Sequence, residues 1–112
     1  MPQFFKEAGY QTALSGKWHL GLHLKEYWPT NRGFDQSYGS MLGGIGYFDH
    51  VHSSRLDWHR NEEPLYEDGY STELIANEAI RIIENKDPNR PLFLYIAFNA
   101  PHTPIQAPEK NI

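Results

Sequence analysis

Two stretches of this chain show a clear order of apolar and polar positions, and both predict elements of an α/β fold. From Thr72 to Asn85, Ile75, Ala79, Ile82 and Ile83 recur at helical spacing while Glu73, Asn77, Arg81 and Glu84 stay polar. That pattern predicts a helix with one apolar stripe. Ser71 stands where an N-cap belongs, and Glu73 in the first turn complements the helix dipole. Asp87-Pro88-Asn89-Arg90-Pro91 ends the helix, and Leu92 to Phe98 follows as a nearly unbroken, aromatic-rich apolar run. Such a run predicts a strand buried on both faces. At the other end, Pro2 to Ala8 reads as a short helix stopped by Gly9, with a strand from Tyr10 to Ser15 directly behind it. Between them, Leu20 to Tyr47 is punctuated by Gly21, Pro29, Gly33, Gly39, Gly43, Gly44 and Gly46 and predicts irregular backbone. Residues 55–60 and 63–66 suggest a hairpin around Asn61-Glu62, and Asp68-Gly69 a turn.

Composition bounds what such a chain does. Its 112 residues fall within the usual single-domain range of about 50 to 250. A hydrophobic fraction of 39%, with 14% aromatic, excludes a disordered tail yet supplies only a modest core. Two convincing central strands and one long helix are few for helices stacked on a sheet, so the expectation is marginal stability with one sheet face exposed. The net charge is −4 and the ten Lys and Arg are scattered, which argues against nucleic-acid binding. No apolar run approaches the roughly 18 residues that suggest a bilayer span, and Met1 to Lys6 lacks the apolar core of a secretory signal. There is no cysteine and no Asn-x-Ser/Thr acceptor; the redox compartment stays open, because disulfide partners belong outside a piece of a longer chain.

The candidate chemistry gathers at strand ends. In extended backbone Lys17 and His19 share a face and Trp18 takes the other. A fixed cation beside an imidazole suits an anionic substrate and a proton transfer, although a solvated lysine and a packed histidine are the ordinary alternative. His102 lies just past the second strand, in Pro101-His102-Thr103-Pro104, which also reads as a rigid turn. Ligands collect beyond the carboxyl ends of strands in open α/β sheets, and the intervening helix makes parallel pairing the expectation. Lys17, His19 and His102 would then emerge at one edge. His50-x-His52, with Asp49 and His59 nearby, suggests a metal pair, but zinc needs three or four convergent ligands and no third stands at motif spacing. Tyr47, Phe48 and Trp58 are candidate rings for stacking on a sugar or aryl group.

Three segments carry a resemblance. Gly9-Tyr10-x-Thr12-x-x-Ser15-Gly16-Lys17-Trp18-His19-Leu20-Gly21 resembles the second signature of the sulfatase family. Pro29-Thr30-Asn31-Arg32-Gly33-Phe34-Asp35, with Tyr38-Gly39, resembles the segment that follows it. Residues 91–98 and Pro101-His102-Thr103-Pro104 resemble the family's strand and sulfate-contacting histidine, and the whole is most similar to the arylsulfatase B-like (N-acetylgalactosamine-4-sulfatase-like) group.

The resemblance implies a partial alkaline-phosphatase-like sandwich, a mixed sheet flanked by helices, with residues 1–112 an internal piece of a sulfatase catalytic domain. It implies sulfate-ester hydrolysis through a covalent sulfo-enzyme, with Ca²⁺ orienting the sulfate. Lys17 would bind the sulfate ester and the oxygen of a formylglycine. His19 would bond a hydroxyl of that hydrated residue and act as base; His102 would contact sulfate and protonate the departing alcohol. Trp58 would line the substrate cleft. Arg32 and Asp35 read as a structural ion pair or loop anchor. The formylglycine comes from a Cys-x-Pro-Ser-Arg or Ser-x-Pro-Ser-Arg motif that this chain lacks, and no calcium ligand is identifiable in it.

The implied partners are sulfated sugars, glycosaminoglycans among them, or aryl sulfate esters. The implied compartment of the parent is lysosomal or secreted, and no turnover is expected of these residues alone. A non-catalytic sulfatase-like remnant, and a carbohydrate- or metal-binding module centred on the histidine-rich loop, are the competing readings.

Overall fold

Helix α1 (Pro2–Glu7) leads into strand β1 (Gln11–Gly16), followed by β2 (Gln36–Gly39), β3 (Val51–His52), β4 (Arg55–Leu56), β5 (His59–Arg60), β6 (Glu63–Pro64), helix α2 (Ser71–Glu84) and β7 (Leu92–Ala97). The structure, a computed structural model, describes residues 2–19, 24–102 and 104–111. Leu20 and Gly21 of the first motif and Thr103 of the last lie outside the described residues. Five strands form one mixed sheet in the order β6-β5-β2-β1-β7, and β3 and β4 form a separate hairpin. β1 runs parallel to both β2 and β7, with Ser15 opposite Tyr38 and Gly16 opposite Ala97. β5 is antiparallel to β2, and β6 to β5. The parallel core and the α/β class expected from the chain are both present.

Alternation along β1 assigns the two faces. Leu14 joins Trp18, Trp28, Phe34 and Met41 on one side, where Phe93 of β7 packs against them. Phe5 of α1 stacks on Phe93, with centroids 4.5 Å apart. On the other side Ser15 donates its hydroxyl to the Ile75 carbonyl of α2 at 2.8 Å, and Ile75 packs with Tyr38, Ile45 and Trp58. The apolar stripe of α2 holds for Ile75, Ala79 and Ile82, but Ile83 points to solvent and the fourth buried position in the helix body belongs to Glu78. Ser71 is not the cap: it is already the first helical residue, its N–H donates to the Tyr47 carbonyl at 2.7 Å, and Tyr70 precedes it without a side-chain cap bond.

Of the two strands expected to be central, only the first is. β7 is the edge of the sheet and remains half-exposed, with Tyr95 and Ile96 open to solvent. β1, more polar in sequence, is the buried central strand, because Thr12 and Ser15 satisfy their hydroxyls on main-chain carbonyls. The segment read as irregular contains β2, and residues 55–60 split between two hairpins. Ser53 and Ser54, both at positive φ, close the β3–β4 hairpin, while Asn61 at φ 55° turns β5 into β6 where Asn61-Glu62 was expected. Asp35 is indeed a loop anchor, but its partners are Lys6 at 3.2 Å and the Thr12 N–H at 3.1 Å; Arg32 instead lies over the Tyr27 ring.

Three strand ends meet backbone to backbone. A Cβ on Gly16 would stand 1.9 Å from the Ala97 oxygen, and one on Gly39 2.2 Å from the Gly16 oxygen, with both residues at positive φ. Gly16→Ala should therefore cost about 3 to 5 kcal/mol, the sum of an overpacked contact and a left-handed alanine. Gly9, also at positive φ but with nothing within 4 Å of a Cβ, should lose only about 1 to 2 kcal/mol on the same change. Urea unfolding of the two variants measures the difference.

Burial raises the Glu78 carboxyl, yet the bonds from Arg81 and Arg60 outweigh it and hold the group below its ordinary range. A depressed carboxylate stabilises the fold above its unfolded-state pKa and loses that contribution as pH falls through the folded value. Stability should thus decline on acidification below 4.5, the ordinary value for a glutamate. Glu78→Gln should flatten that part of the stability–pH curve and weaken the fold at neutral pH, as denaturant melts across pH would register.

Candidate functional site

The carboxyl edge of the parallel strands places the polar residues that matter. Beyond Gly16 the main chain stays clamped between neighbours: Lys17 N–H donates to the Ala97 carbonyl (2.8 Å), Trp18 N–H to Ser40 (2.9 Å) and His19 N–H to Met41 (2.7 Å). Trp18 drives its ring into the core and donates Nε1–H to the Tyr27 carbonyl, so its neighbours Lys17 and His19 are turned outward. His19 itself adopts φ 52°, a left-handed conformation uncommon for a non-glycine residue.

Gly43 is where the expected residues converge. A Cβ built on it would lie 3.3 Å from His19 Nδ1, 3.7 Å from His102 Cδ2 and 3.7 Å from Lys17 Cδ. All three side chains therefore approach the place that a side chain on Gly43 would take, and the hollow there is the one that this glycine leaves. Lys17 has no carboxylate partner among the described residues, so its charge is not consumed by an ion pair there. A cation and two imidazoles around a bare glycine can hold a small oxyanion and move a proton to or from it.

Asn99 and Asp57, which the sequence did not single out, and Tyr47, expected as a stacking ring, fix the main chain around this hollow. Asn99, 2% exposed, donates Nδ2–H to Ser40 Oγ and to the Gly43 carbonyl, both at 3.0 Å, and its own carbonyl accepts the His102 N–H at 2.9 Å. One buried asparagine, its side-chain amide on one side and its main-chain carbonyl on the other, thus ties the Gly43 carbonyl to the turn that carries His102. Asp57 accepts the N–H groups of Met41 (2.9 Å) and Leu42 (2.8 Å), fixing the approach to Gly43 from the other side. Tyr47 donates its hydroxyl to the His102 carbonyl at 2.7 Å and its N–H to Gln106 Oε1 at 2.7 Å. Burial, with Tyr70 adding to it, raises the Tyr47 phenol, which keeps it a donor. The glycine run Gly43-Gly44 was the available signal; only the fold shows which glycine leaves the hollow.

The histidines of the 50–52 loop are engaged by main-chain carbonyls. His50 is buried, stacks on Trp58 at 4.4 Å and gives Nε2–H to the Gly69 carbonyl at 2.9 Å. His52 gives Nδ1–H to the Gly44 carbonyl at 2.7 Å. A carbonyl can only accept, so each ring nitrogen named carries its hydrogen there. Among the described residues no three His, Cys, Asp or Glu converge as a metal site, and the residues present do not fit a bound calcium. Trp58, expected in a substrate cleft, is fully buried: it packs on Tyr38 and Ile75 and gives its indole N–H to Glu67 at 2.7 Å. It has no face left for a sugar. Tyr47 is buried as well, and Phe48, stacked on Tyr70, is the ring of the three that remains exposed.

The sulfatase family model matches residues 1–111. Arylsulfatase J of Mus musculus is 41% identical over 116 aligned residues, which cover 96% of this chain and 19% of that protein. Ps i-CgsB, solved in complex with k-i-k-neocarrahexaose, superposes with a TM-score of 0.85 at 32% identity over 98% of this chain and 28% of that one. BT4656, solved in complex with its substrate D-glucosamine-2-N,6-O-disulfate, gives a TM-score of 0.71 at 31% identity over 91% of this chain and 18% of that one. The 112 residues thus span about a fifth of the curated relative. The chain belongs to the sulfatase family.

Proposed function

We propose that these residues form one wall of a sulfate-ester hydrolase site, in which Lys17, His19 and His102 bind the sulfate and handle its protons. The convergence of the three side chains on Gly43 carries this reading. Lys17 supplies a fixed positive charge for the sulfuryl oxygens, whose negative charge grows as the ester bond breaks. His102, held by Asn99 and Tyr47, contacts the sulfate and delivers a proton to the departing alcohol oxygen. His19, on its left-handed backbone, acts as the base. The substrate class is a sulfated sugar or an aryl sulfate ester, in keeping with the sulfated ligand in BT4656. Glycosaminoglycan sulfates belong to that class.

Calcium and formylglycine, the cofactors of the family, would be held by parts of a longer protein, because the chain has no Cys- or Ser-x-Pro-Ser-Arg motif and no group of metal-ligating side chains converges among the described residues. A lysosomal or secreted location follows from the same family reading. No helix among the described residues is long and apolar enough to cross a membrane.

A chromogenic aryl sulfate, assayed with calcium on the 112 residues and on the product of the complete reading frame, tests the proposal. Turnover is expected only from the longer protein. There, Lys17→Ala should lower kcat/KM by about 10²- to 10³-fold, and His19→Ala or His102→Ala by about 10²- to 10⁴-fold. Silence of the longer protein, once folded and with its formylglycine in place, would instead mark a non-catalytic relative.

Gly43 offers a sharper check, because its substitution fills the space between the three side chains without removing any polar group. Gly43→Val should abolish sulfate-ester turnover while circular dichroism and melting stay near wild type. Gly43→Ala should be milder, since its methyl meets the movable His19 ring first. Full activity of Gly43→Val would remove the hollow from the mechanism.

A further inference from the structure

A second recess begins one residue from Gly43. It encloses about 380 Å³, within the range of roughly 300 to 1,000 Å³ typical of small-ligand clefts. Leu42 and Leu56 form its apolar surface, and His52, Ser53 and Arg55 supply its polar side. Leu42 precedes Gly43 in the chain, and His52 bonds the carbonyl of Gly44, which follows it. The segment Leu42-Gly43-Gly44 therefore borders both the hollow and the cleft.

The charges in the cleft favour an anion. Arg55 is exposed and makes no ion pair among the described residues. Asp57, the one carboxylate lining the cleft, is already surrounded by donors: the N–H groups of Met41 and Leu42 and the Nε2–H of His59. Its charge is committed to the loop. With Nδ1–H given to Gly44, a neutral His52 ring keeps Nε2 as an acceptor, suited to a sugar hydroxyl. Leu42 and Leu56 suit the apolar face of a pyranose.

We propose that this cleft receives the part of the substrate next to the scissile sulfate, and that Arg55 binds a second anionic group there, a further sulfate or a uronate carboxylate. The proposal rests on the hydrolase reading for the position of the first sulfate. It makes Arg55 a specificity-determining residue that favours polyanionic sugars over singly charged ones.

Titration calorimetry with the product of the complete reading frame tests it, using D-glucosamine-6-sulfate, D-glucosamine-2-N,6-O-disulfate and a monosulfated disaccharide bearing a uronate. At least one of the two dianions should bind about ten-fold tighter than the monosulfate, the effect of roughly one charge-assisted contact. Which of them does so identifies the second anion. Arg55→Ala should bring dianion and monosulfate within about two-fold of each other, and Arg55→Glu should reverse the preference. A preference that persists in both variants, or none in the wild type, overturns the proposal. Aryl sulfate turnover by the same preparation reports the hydrolase reading separately. Turnover without an Arg55-dependent preference rejects the cleft alone; an Arg55-dependent preference without turnover rejects the hydrolase and keeps the cleft.

Discussion

The close approach of three strand ends governs the rest of this structure. β7, β1 and β2 run parallel and finish at Ala97, Gly16 and Gly39, where main chain lies directly against main chain. No side chain fits between them, so two glycines at positive φ are a requirement of the geometry. Because the ends meet, the residues that follow are threaded together. Lys17 stays bonded to β7, and Trp18 and His19 are bonded to the continuation of β2. The hollow around Gly43 is the outcome of that threading.

The loops beyond the strands are secured by buried polar side chains that bond main chain, with little help from apolar packing of the loops themselves. Asn99 ties the Gly43 carbonyl to the His102 turn, Asp57 takes two consecutive N–H groups, and Thr12 closes the turn of Gly33-Phe34-Asp35. Each of these bonds matters twice. It satisfies a loop amide or carbonyl that would be costly to bury unpaired, and it fixes the course of the loop. Ser15 does the same for the scaffold by holding α2 through the Ile75 carbonyl.

The chain's own pattern made part of this legible. Helical spacing of Ile75, Ala79 and Ile82 located α2, and Lys17, His19 and His102 at strand ends pointed to one edge before any coordinates did. The remainder depended on tertiary context. Gln36-Ser37-Tyr38-Gly39 has no alternation of its own and becomes a strand because β1 offers it a parallel partner. The apolar run of β7 looked central, but whether a strand is central depends on how many strands pair beside it, which no local pattern encodes. Trp58 looked like a binding ring because aromatic rings serve sites and cores equally well; His50 and Glu67 decide for the core. Asn99 carried no signal, since an asparagine after a strand usually reads as turn chemistry.

One feature of β7 bears on how the hollow is finished. As the last strand of the sheet it presents an unpaired row of main-chain donors and acceptors beside the half-open side chains Tyr95, Ile96 and Phe98. Its direction matters more than its stickiness. A parallel strand laid along that row would advance toward the same rim from which His102 emerges and release its next residues beside the imidazole. The open flank of the sheet is therefore directional: a parallel partner ends beside His102, whereas an antiparallel one runs away from it.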